Sequence, residues 1–255
     1  MLNIQKMPTL PIHIVSHSTL VNADCFDVFP FIEDKSIDAI ICDLPYGTTQ
    51  NKWDSVLPLD KLWSEYKRIL KDSGCVVLFG NQPFTTDLIF SNRNWFKYEI
   101  IWDKGRASGH LNAKIMPLRK HDNILIFAKK KTTYNPQFTN GDAYTRTSKS
   151  ETCRGNYGKH EDSTIVNDGY RYPTTIFYEP IGRQQNKTHP TEKPIGLLEM
   201  LIKTYTNEGD TVLDNTMGSG TTNLACLKLN RKSIGIEKEK QYYDVAVRRL
   251  SSYCG

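Results

Sequence analysis

The run Ile40-Ile41-Cys42-Asp43-Leu44-Pro45-Tyr46-Gly47 brings together a carboxylate, a proline that stiffens the backbone, and an aromatic ring. The carboxylate can accept hydrogen bonds, and the ring can lie against a flat partner. Apolar Ile37, Ala39, Ile40 and Ile41 lead up to the acid, and Pro45 and Gly47 break the pattern after it. A bounded apolar run of this length reads as a buried strand, which puts Asp43 at its carboxyl end. Open α/β sheets bind ligands at that end. The competing reading of these residues is a plain βα turn with Asp43 as a helix cap.

A second constellation lies in the last third of the chain. Asp214-Asn215-Thr216-Met217-Gly218-Ser219-Gly220-Thr221-Thr222 sits between a strand at 211–214 and a helix at 221–229. Two glycines allow a tight turn and a close backbone approach to a ligand. Glu237 closes the next strand, 19 residues beyond Gly218. An acid about 20 residues past such a turn can accept hydrogen bonds from a ribose diol, so the pair points to an adenosine-containing ligand. Asn223 stands where a dinucleotide turn prefers a third glycine, and no Gly-Lys-Ser/Thr follows, which disfavours nicotinamide cofactors and nucleoside triphosphates.

The hydrophobic pattern supplies a scaffold for these groups. Strands are predicted at 19–22, 37–42, 75–79, 98–102, 124–128, 211–214 and 233–237. Helical spacing carries Leu59, Leu62, Trp63, Tyr66, Ile69 and Leu70 up to Gly74, and Pro194 opens a helix bearing Ile195, Leu198, Leu201, Ile202 and Tyr205. Further helices are predicted near 83–91 and at the end of the chain. The alternation predicts an α/β fold with a single doubly wound, mostly parallel sheet. Residues 1–17 predict only a loosely held lead-in.

Two stretches interrupt this order. Residues 103–121 predict a long basic loop with Lys104, Arg106, Lys114, Arg119 and Lys120; phosphate contact is the functional reading, a solvated surface loop the plain one. Residues 132–188 contain no leucine or tryptophan but much Thr, Tyr, Asn, Gly and Arg, including Arg154, Arg171 and Arg183. They predict an inserted, partly irregular region whose side chains suit base edges and phosphates.

At 255 residues and 38% hydrophobic content the chain can bury a full core. Its net charge of +5 permits a polyanionic partner without demanding one. The six cysteines are scattered with no Cys-x-x-Cys pair, which fits a reducing cytosol and offers no metal set. No apolar run reaches the ~18 residues of a membrane span, and the N-terminus does not read as a signal peptide.

Asp43-Leu44-Pro45-Tyr46 resembles the Asp-Pro-Pro-Tyr signature of DNA amino-methyltransferases. The 212–222 stretch resembles their S-adenosylmethionine motif, and His189-Pro190-Thr191-Glu192-Lys193-Pro194 is similar to the element bordering the same pocket. With Asp24 in Asn-Ala-Asp-Cys, the motifs follow the order of the family's β group, and the resemblance spans nearly the whole chain. It implies a Rossmann-like methyltransferase fold, a target-recognition insertion at 132–188, and S-adenosyl-L-methionine as cofactor. The implied cofactor pocket takes Asp24, Cys25, Asp43, His189, Thr191, Lys193, Asp214, Asn215, Met217, Gly218, Ser219, Gly220, Thr221 and Glu237. Asp24 and Glu237 would meet its adenosine end; Asp214, Gly218 and Gly220 its methionine end. Lys104, Arg106, Lys114, Arg119 and Arg171 are the implied DNA contacts.

The resemblance further implies methylation of an exocyclic amine on a base flipped out of double-stranded DNA. Asp43 and the Leu44 carbonyl would hold the amine's hydrogens, Pro45 would stiffen the loop, and Tyr46 would stack on the base. An opening Asp resembles adenine methylases more than cytosine ones. Two departures stand out: Leu44 replaces a proline, and Asn215-Thr216 replaces Pro-Phe, which is expected to weaken cofactor binding. Cytosine-N4 methylation and a non-catalytic DNA-binding subunit stay open as alternatives; motif order argues against an RNA or protein-glutamine methylase. A homodimer and a cognate restriction endonuclease are partners the family admits, in a cytoplasm of bacterial, phage or mobile-element origin.

Overall fold

A computed structural model of the chain describes residues 2–7, 9–47, 55–148, 163–181 and 192–254. These form two compact units, Met1–Asn135 with Thr175–Gly255, and Pro136–Thr174. The larger begins with β1 (Ile12–Val15), β2 (Ser18–Asn22), α1 (Cys25–Val28), β3 (Ile37–Cys42) and α2 (Leu59–Ile69). It continues through β4 (Leu70–Gly80), α3 (Phe84–Ser91), β5 (Phe96–Ser108) and β6 (Arg119–Phe127). The smaller unit holds β7 (Thr139–Asn140), β8 (Tyr144–Ser148), β9 (Ser163–Asn167) and β10 (Tyr170–Arg171). The chain then returns through β11 (Ile176–Tyr178), α4 (Ile195–Tyr205), β12 (Thr211–Asp214), α5 (Thr221–Lys228), β13 (Lys232–Glu237) and α6 (Lys240–Cys254).

Among the described residues the larger unit has one sheet, in the order β1-β2-β13-β12-β3-β4-β6-β5-β11. Strands β2, β13, β12, β3 and β4 run parallel, and β6 is antiparallel to both neighbours. Strand β12 enters beside β3, pairing Val212 with Ala39 and Leu213 with Ile40. That crossover brings the ends of two strands from opposite thirds of the chain to one edge of the sheet, a place where α/β proteins bind ligands.

Period-two alternation sends successive residues of the central strands to opposite faces. Ile40, Val76, Leu78 and Leu213 pack with Leu62, Trp63, Tyr66 and Leu88 of α2 and α3. Ile41, Val77, Phe79 and Val212 pack with Leu198, Leu201 and Ile202 of α4 and Ala225 and Cys226 of α5. Helix α6 closes over β1 and β2 through Tyr243, Ala246 and Leu250 against Val15 and Leu20. Burial on both faces is why these strands read as unbroken apolar runs.

Four sequence expectations are corrected. The lead-in contains β1, an edge strand antiparallel to β2. Helix α2 stops at Ile69, and Gly74 lies inside β4, where a Cβ would sit 2.6 Å from the Asp38 carbonyl oxygen. The basic loop shrinks to residues 109–118, because β5 and β6 extend as a hairpin to Ser108 and Arg119. The second unit is narrower than 132–188: Asn135 is tied to Thr204 and Lys203, and β11 pairs with β5. No helix among the described residues is long and apolar enough to cross a membrane.

Within the smaller unit, β8 pairs with β9 and β10 with β7, both antiparallel. Phe138 packs its ring on Tyr172 at 4.7 Å, and Arg171 lies over the Tyr144 ring at 4.8 Å. Arg171 also donates to the side chain of Asn167 and the carbonyl of Asp142. Its guanidinium therefore holds this unit together, a role the sequence reading, which assigned Arg171 to DNA, did not include.

Candidate active site

Asp43 follows directly on β3, and both of its carboxylate oxygens are engaged. Oδ1 accepts from the Tyr46 hydroxyl at 2.7 Å, and Oδ2 accepts from the Lys193 ammonium. Lys193 arrives from just before α4 and lies 5.0 Å above the ring of Phe79. The Tyr46 ring packs on Phe84 at 5.0 Å, and burial beside the Asp43 charge pushes its phenol pKa well up, so it remains a neutral donor. Leu44 turns its side chain into the core at 3% exposure. A carboxylate has about four lone-pair sites, so Asp43 keeps acceptor capacity beyond these two bonds.

The glycine turn after β12 is pinned on three sides. Met217 N donates to the Ile236 carbonyl at 3.0 Å, and Gly218 N donates to Glu237 Oε2 at 2.9 Å. Glu237 Oε1 accepts from Glu239 N at 2.7 Å. Gly220, at φ +76°, starts α5 where a Cβ would sit 2.8 Å from Ala246 Cβ, so glycine is required on both counts. The third tie reaches the loop after β3: Thr216 Oγ1 donates to the Asp43 carbonyl at 3.1 Å. Next to it Asn215, 2% exposed, accepts from the Tyr66 hydroxyl at 2.5 Å. Asn215 and Thr216, which stand where the resemblance expects Pro-Phe, thus join the turn to β3 and α2.

Three carboxylates gather here. Burial pushes the pKa of Asp214 up to about 7; bonds from Thr222 and Thr216 N oppose the rise, and the charges of Asp43 and Glu237 add to it. Burial raises Glu237 also, against backbone bonds from Glu239, Gly218 and Lys238. Asp24 caps α1 through Phe26 N at 3.1 Å and pairs with Lys238 at 3.1 Å.

One cavity of roughly 550 Å³ runs past all these groups. It is lined by Asp24, Cys25, Asp43, Leu44, Pro45, Tyr46, Lys193, Asp214, Asn215, Met217, Gly218, Ser219, Thr221 and Glu237. Gly220 acts behind it as the helix start. His189 and Thr191 lie outside the described residues.

The expected DNA contacts separate. Lys104 is 5% exposed and donates to Asp122 at 2.9 Å, so it is a buried ion pair in the cavity wall and not a solvated phosphate contact. Arg119 lines the cavity while remaining exposed, and Arg106 and Lys114 are exposed. Sequence reasoning missed Thr216 as the link to Asp43, and it missed Arg249. The Arg249 guanidinium donates to Ser219 O at 2.9 Å, Ser219 Oγ at 2.8 Å and Thr221 Oγ1 at 3.1 Å, and pairs with Glu192 at 2.7 Å. The hydrogen bonds join residues about 30 positions apart and the ion pair residues 57 apart (249 − 192), so no local pattern announces them.

The sheet is of the kind found in DNA methylases. A family model of that description, for N6/N4 enzymes, matches residues 37–248, and the chain belongs to this family. It is 29% identical over 256 residues to the type II methyltransferase M.HpaI of Haemophilus parainfluenzae, covering 91% of this chain and 74% of the relative. It is likewise 29% identical over 247 residues to DNA adenine methyltransferase YhdJ of Escherichia coli K12, covering 91% and 82%. The crystal structure of the M1.HpyAVI–SAM complex matches with a TM-score of 0.61 at 26% identity, covering 91% of this chain and 99% of that one. The cytosine-N4-specific PvuII DNA methyltransferase shares the fold, with a TM-score of 0.64 at 14% identity.

Proposed function

We propose that this chain transfers a methyl group from S-adenosyl-L-methionine to the exocyclic amino nitrogen of adenine within a specific sequence of double-stranded DNA. The observation that carries the reading is the Thr216–Asp43 bond, which joins the glycine turn to the catalytic loop across a single cavity. An opening Asp at the catalytic motif and the adenine-methylating relative favour adenine over cytosine.

The residues present fit the cofactor. The cavity falls in the usual range for small-molecule sites, roughly 300–1,000 Å³. Its carboxylates suit a cationic, hydroxyl-bearing ligand, and the buried Asn215 amide lies in its wall beside Cys25. Asp24 and Glu237 would hold the ribose end, and Asp214, Gly218 and Ser219 the amino-acid end. When bound, S-adenosylmethionine supplies an electrophilic methyl group on a sulfonium.

The chain's own residues do the rest. The adenine amine is a poor nucleophile because its lone pair is delocalised into the ring. Asp43 accepts a hydrogen bond from it and the Leu44 carbonyl accepts the second, which fixes the nitrogen and favours charge development there. Pro45 restricts the loop, and Lys193 and Tyr46 keep the Asp43 carboxylate from rotating. The amine's proton leaves to Asp43 or to water. Alignment of this kind can contribute up to roughly 7–11 kcal/mol to the barrier reduction. Tyr46 stacks on the flipped base with the face away from Phe84, a contact of ~1–3 kcal/mol.

In this reading, the Pro136–Thr174 unit reads the target sequence, and exposed Arg106, Lys114 and Arg119 meet phosphates. From the family resemblance we carry forward a second copy and a cognate restriction endonuclease as partners; sedimentation and co-purification test them. The test of function is transfer of labelled methyl to unmethylated genomic DNA, followed by nucleoside digestion and mass spectrometry. Label in N6-methyladenine supports the assignment, and label in N4-methylcytosine replaces the base. No label, with S-adenosylhomocysteine still bound, removes the activity.

A further inference from the structure

The β5–β6 hairpin starts at the rim of the cavity. Ser108 pairs with Arg119, its hydroxyl donating to the Arg119 carbonyl at 3.2 Å, and both residues line the cavity. Beyond them, Gly109 at φ +90° leads into a single 3-10 turn, His110–Asn112. Backbone bonds from Ala113 to His110 and from Ile115 and Met116 to Asn112 close residues 109–116 into an ordered knot.

That knot turns its apolar side chains outward. Leu111 is 101% exposed, Ile115 78% and Met116 56%. Exposed apolar groups clustered on one ordered tip mark a contact surface. Its charge says which kind. From Lys104 to His121 the only acid among the described contacts is supplied by Asp122 and Asp103 at the hairpin's base, and residues 104–121 themselves contain no Asp or Glu. Arg106, Lys114, Arg119 and Lys120 are exposed around the apolar tip. An apolar point collared by cations complements a stack of flat bases edged by phosphates, and Leu, Ile and Met are side chains that wedge between base steps.

We propose that residues 109–118 form a wedge that enters the DNA beside the target base and fills the gap left when that base rotates toward Asp43. Leu111 and Ile115 take the place of the lost stacking partner, while Lys114 and Arg119 hold the flanking phosphates. The proposal rests on the methyltransferase reading above. It adds to that reading which element opens the duplex.

The test uses Leu111→Ala with Ile115→Ala in the full chain, on two duplexes carrying the target site found by sequencing methylated DNA. In one duplex the target adenine is paired; in the other, called open, it faces an abasic site, so no base pair has to be broken to release it. The variant should lose about tenfold or more in single-turnover rate on the paired duplex and regain nearly wild-type rate on the open one. Cofactor binding, followed by thermal shift with S-adenosylhomocysteine, should be unchanged. With 2-aminopurine at the target, the fluorescence rise on binding should shrink in the variant. Equal rates for variant and wild type on the paired duplex, or equal losses on both duplexes, would overturn the wedge. So would conversion of a wild-type dimer to a monomer with the paired-to-open ratio unchanged, which assigns the tip to a second copy. A wild type that methylates neither duplex defeats the functional reading and leaves the wedge without its basis.

Discussion

The Lys193 ammonium donates to Oδ2 of Asp43 from 150 residues away in sequence, while Tyr46 donates to Oδ1 from three residues away. One donor is local and the other is long-range, and together they set the plane of the carboxylate. Lys193→Met removes the long-range donor and leaves the local one. Turnover should fall by up to roughly 100-fold through misorientation, with a smaller change in cofactor affinity. Steady-state kinetics beside S-adenosylhomocysteine titration separates these, and an unchanged kcat would remove the orienting role.

Asp43→Ala deletes the acceptor itself. Methyl transfer should drop by about 10²–10³-fold or more, the scale seen when a single oriented group at a reacting centre is removed. Cofactor binding should persist, because the glycine turn is also held by Ile236 and Glu237. Substantial residual activity would sink the role given to Asp43.

Thr216→Val keeps the shape of the turn and deletes its bond to the Asp43 carbonyl. Net stability should fall by about 0.5–1.5 kcal/mol, as for one lost hydrogen bond. The activity loss should exceed what cofactor affinity explains, since the bond couples two loops. If kcat moves only in proportion to cofactor affinity, the coupling is absent.

Asp214 gives a pH dependence of defined sign. Its folded pKa of about 7 lies above the ordinary value of 3.8, so the folded state binds more protons than the unfolded one between those values. Stability from this group is therefore greatest at low pH and declines as pH rises from about 4 to 7, by an amount on the order of 4 kcal/mol. Asp214→Asn should flatten that part of the curve, leaving a smaller slope from Glu237, whose pKa is also raised. Chemical denaturation at pH 5 and pH 8 checks it; parallel curves for variant and wild type would contradict the buried-acid account.

Lys104 and Arg106 sit two residues apart and should respond oppositely. Lys104→Met leaves Asp122 charged and buried, which should cost about 3–5 kcal/mol of stability. Arg106→Gln changes an exposed cation, should cost within about 0.5 kcal/mol, and should reduce the salt dependence of DNA binding by about one phosphate. Denaturation and binding across salt concentrations distinguish the two.

Much of this was legible in the chain because the central strands are buried on both faces and announce themselves as apolar runs. Ile37–Cys42 and Thr211–Asp214 were readable for that reason, and so were Asp43 and Gly218 at their ends. Edge strand β1 was not: a half-exposed strand carrying His13 and an exposed Ile14 shows no such run. The hairpin was mistaken for a loop because β5 and β6 keep pairing beyond their apolar parts, through polar residues that carry no hydrophobic signal. Lys104 and Arg106 look alike in sequence, and only the cross-strand neighbour Asp122 tells the buried cation from the exposed one. The Arg249 clamp and the Lys193–Asp43 pair depend on which distant segments meet, which periodicity does not encode.

The placement of β12 has a consequence for how the enzyme comes into being. It lies between β3 and β13, so the sheet that carries Asp43 stays open along one side of β3 until the final third of the chain has been synthesised. A nascent chain halted before Val212 has Asp43 but neither the glycine turn nor the strand that pairs with Ile40. Pairings this distant in sequence form slowly. The cavity wall shared by Asp43 and the glycine turn is therefore completed only late in synthesis.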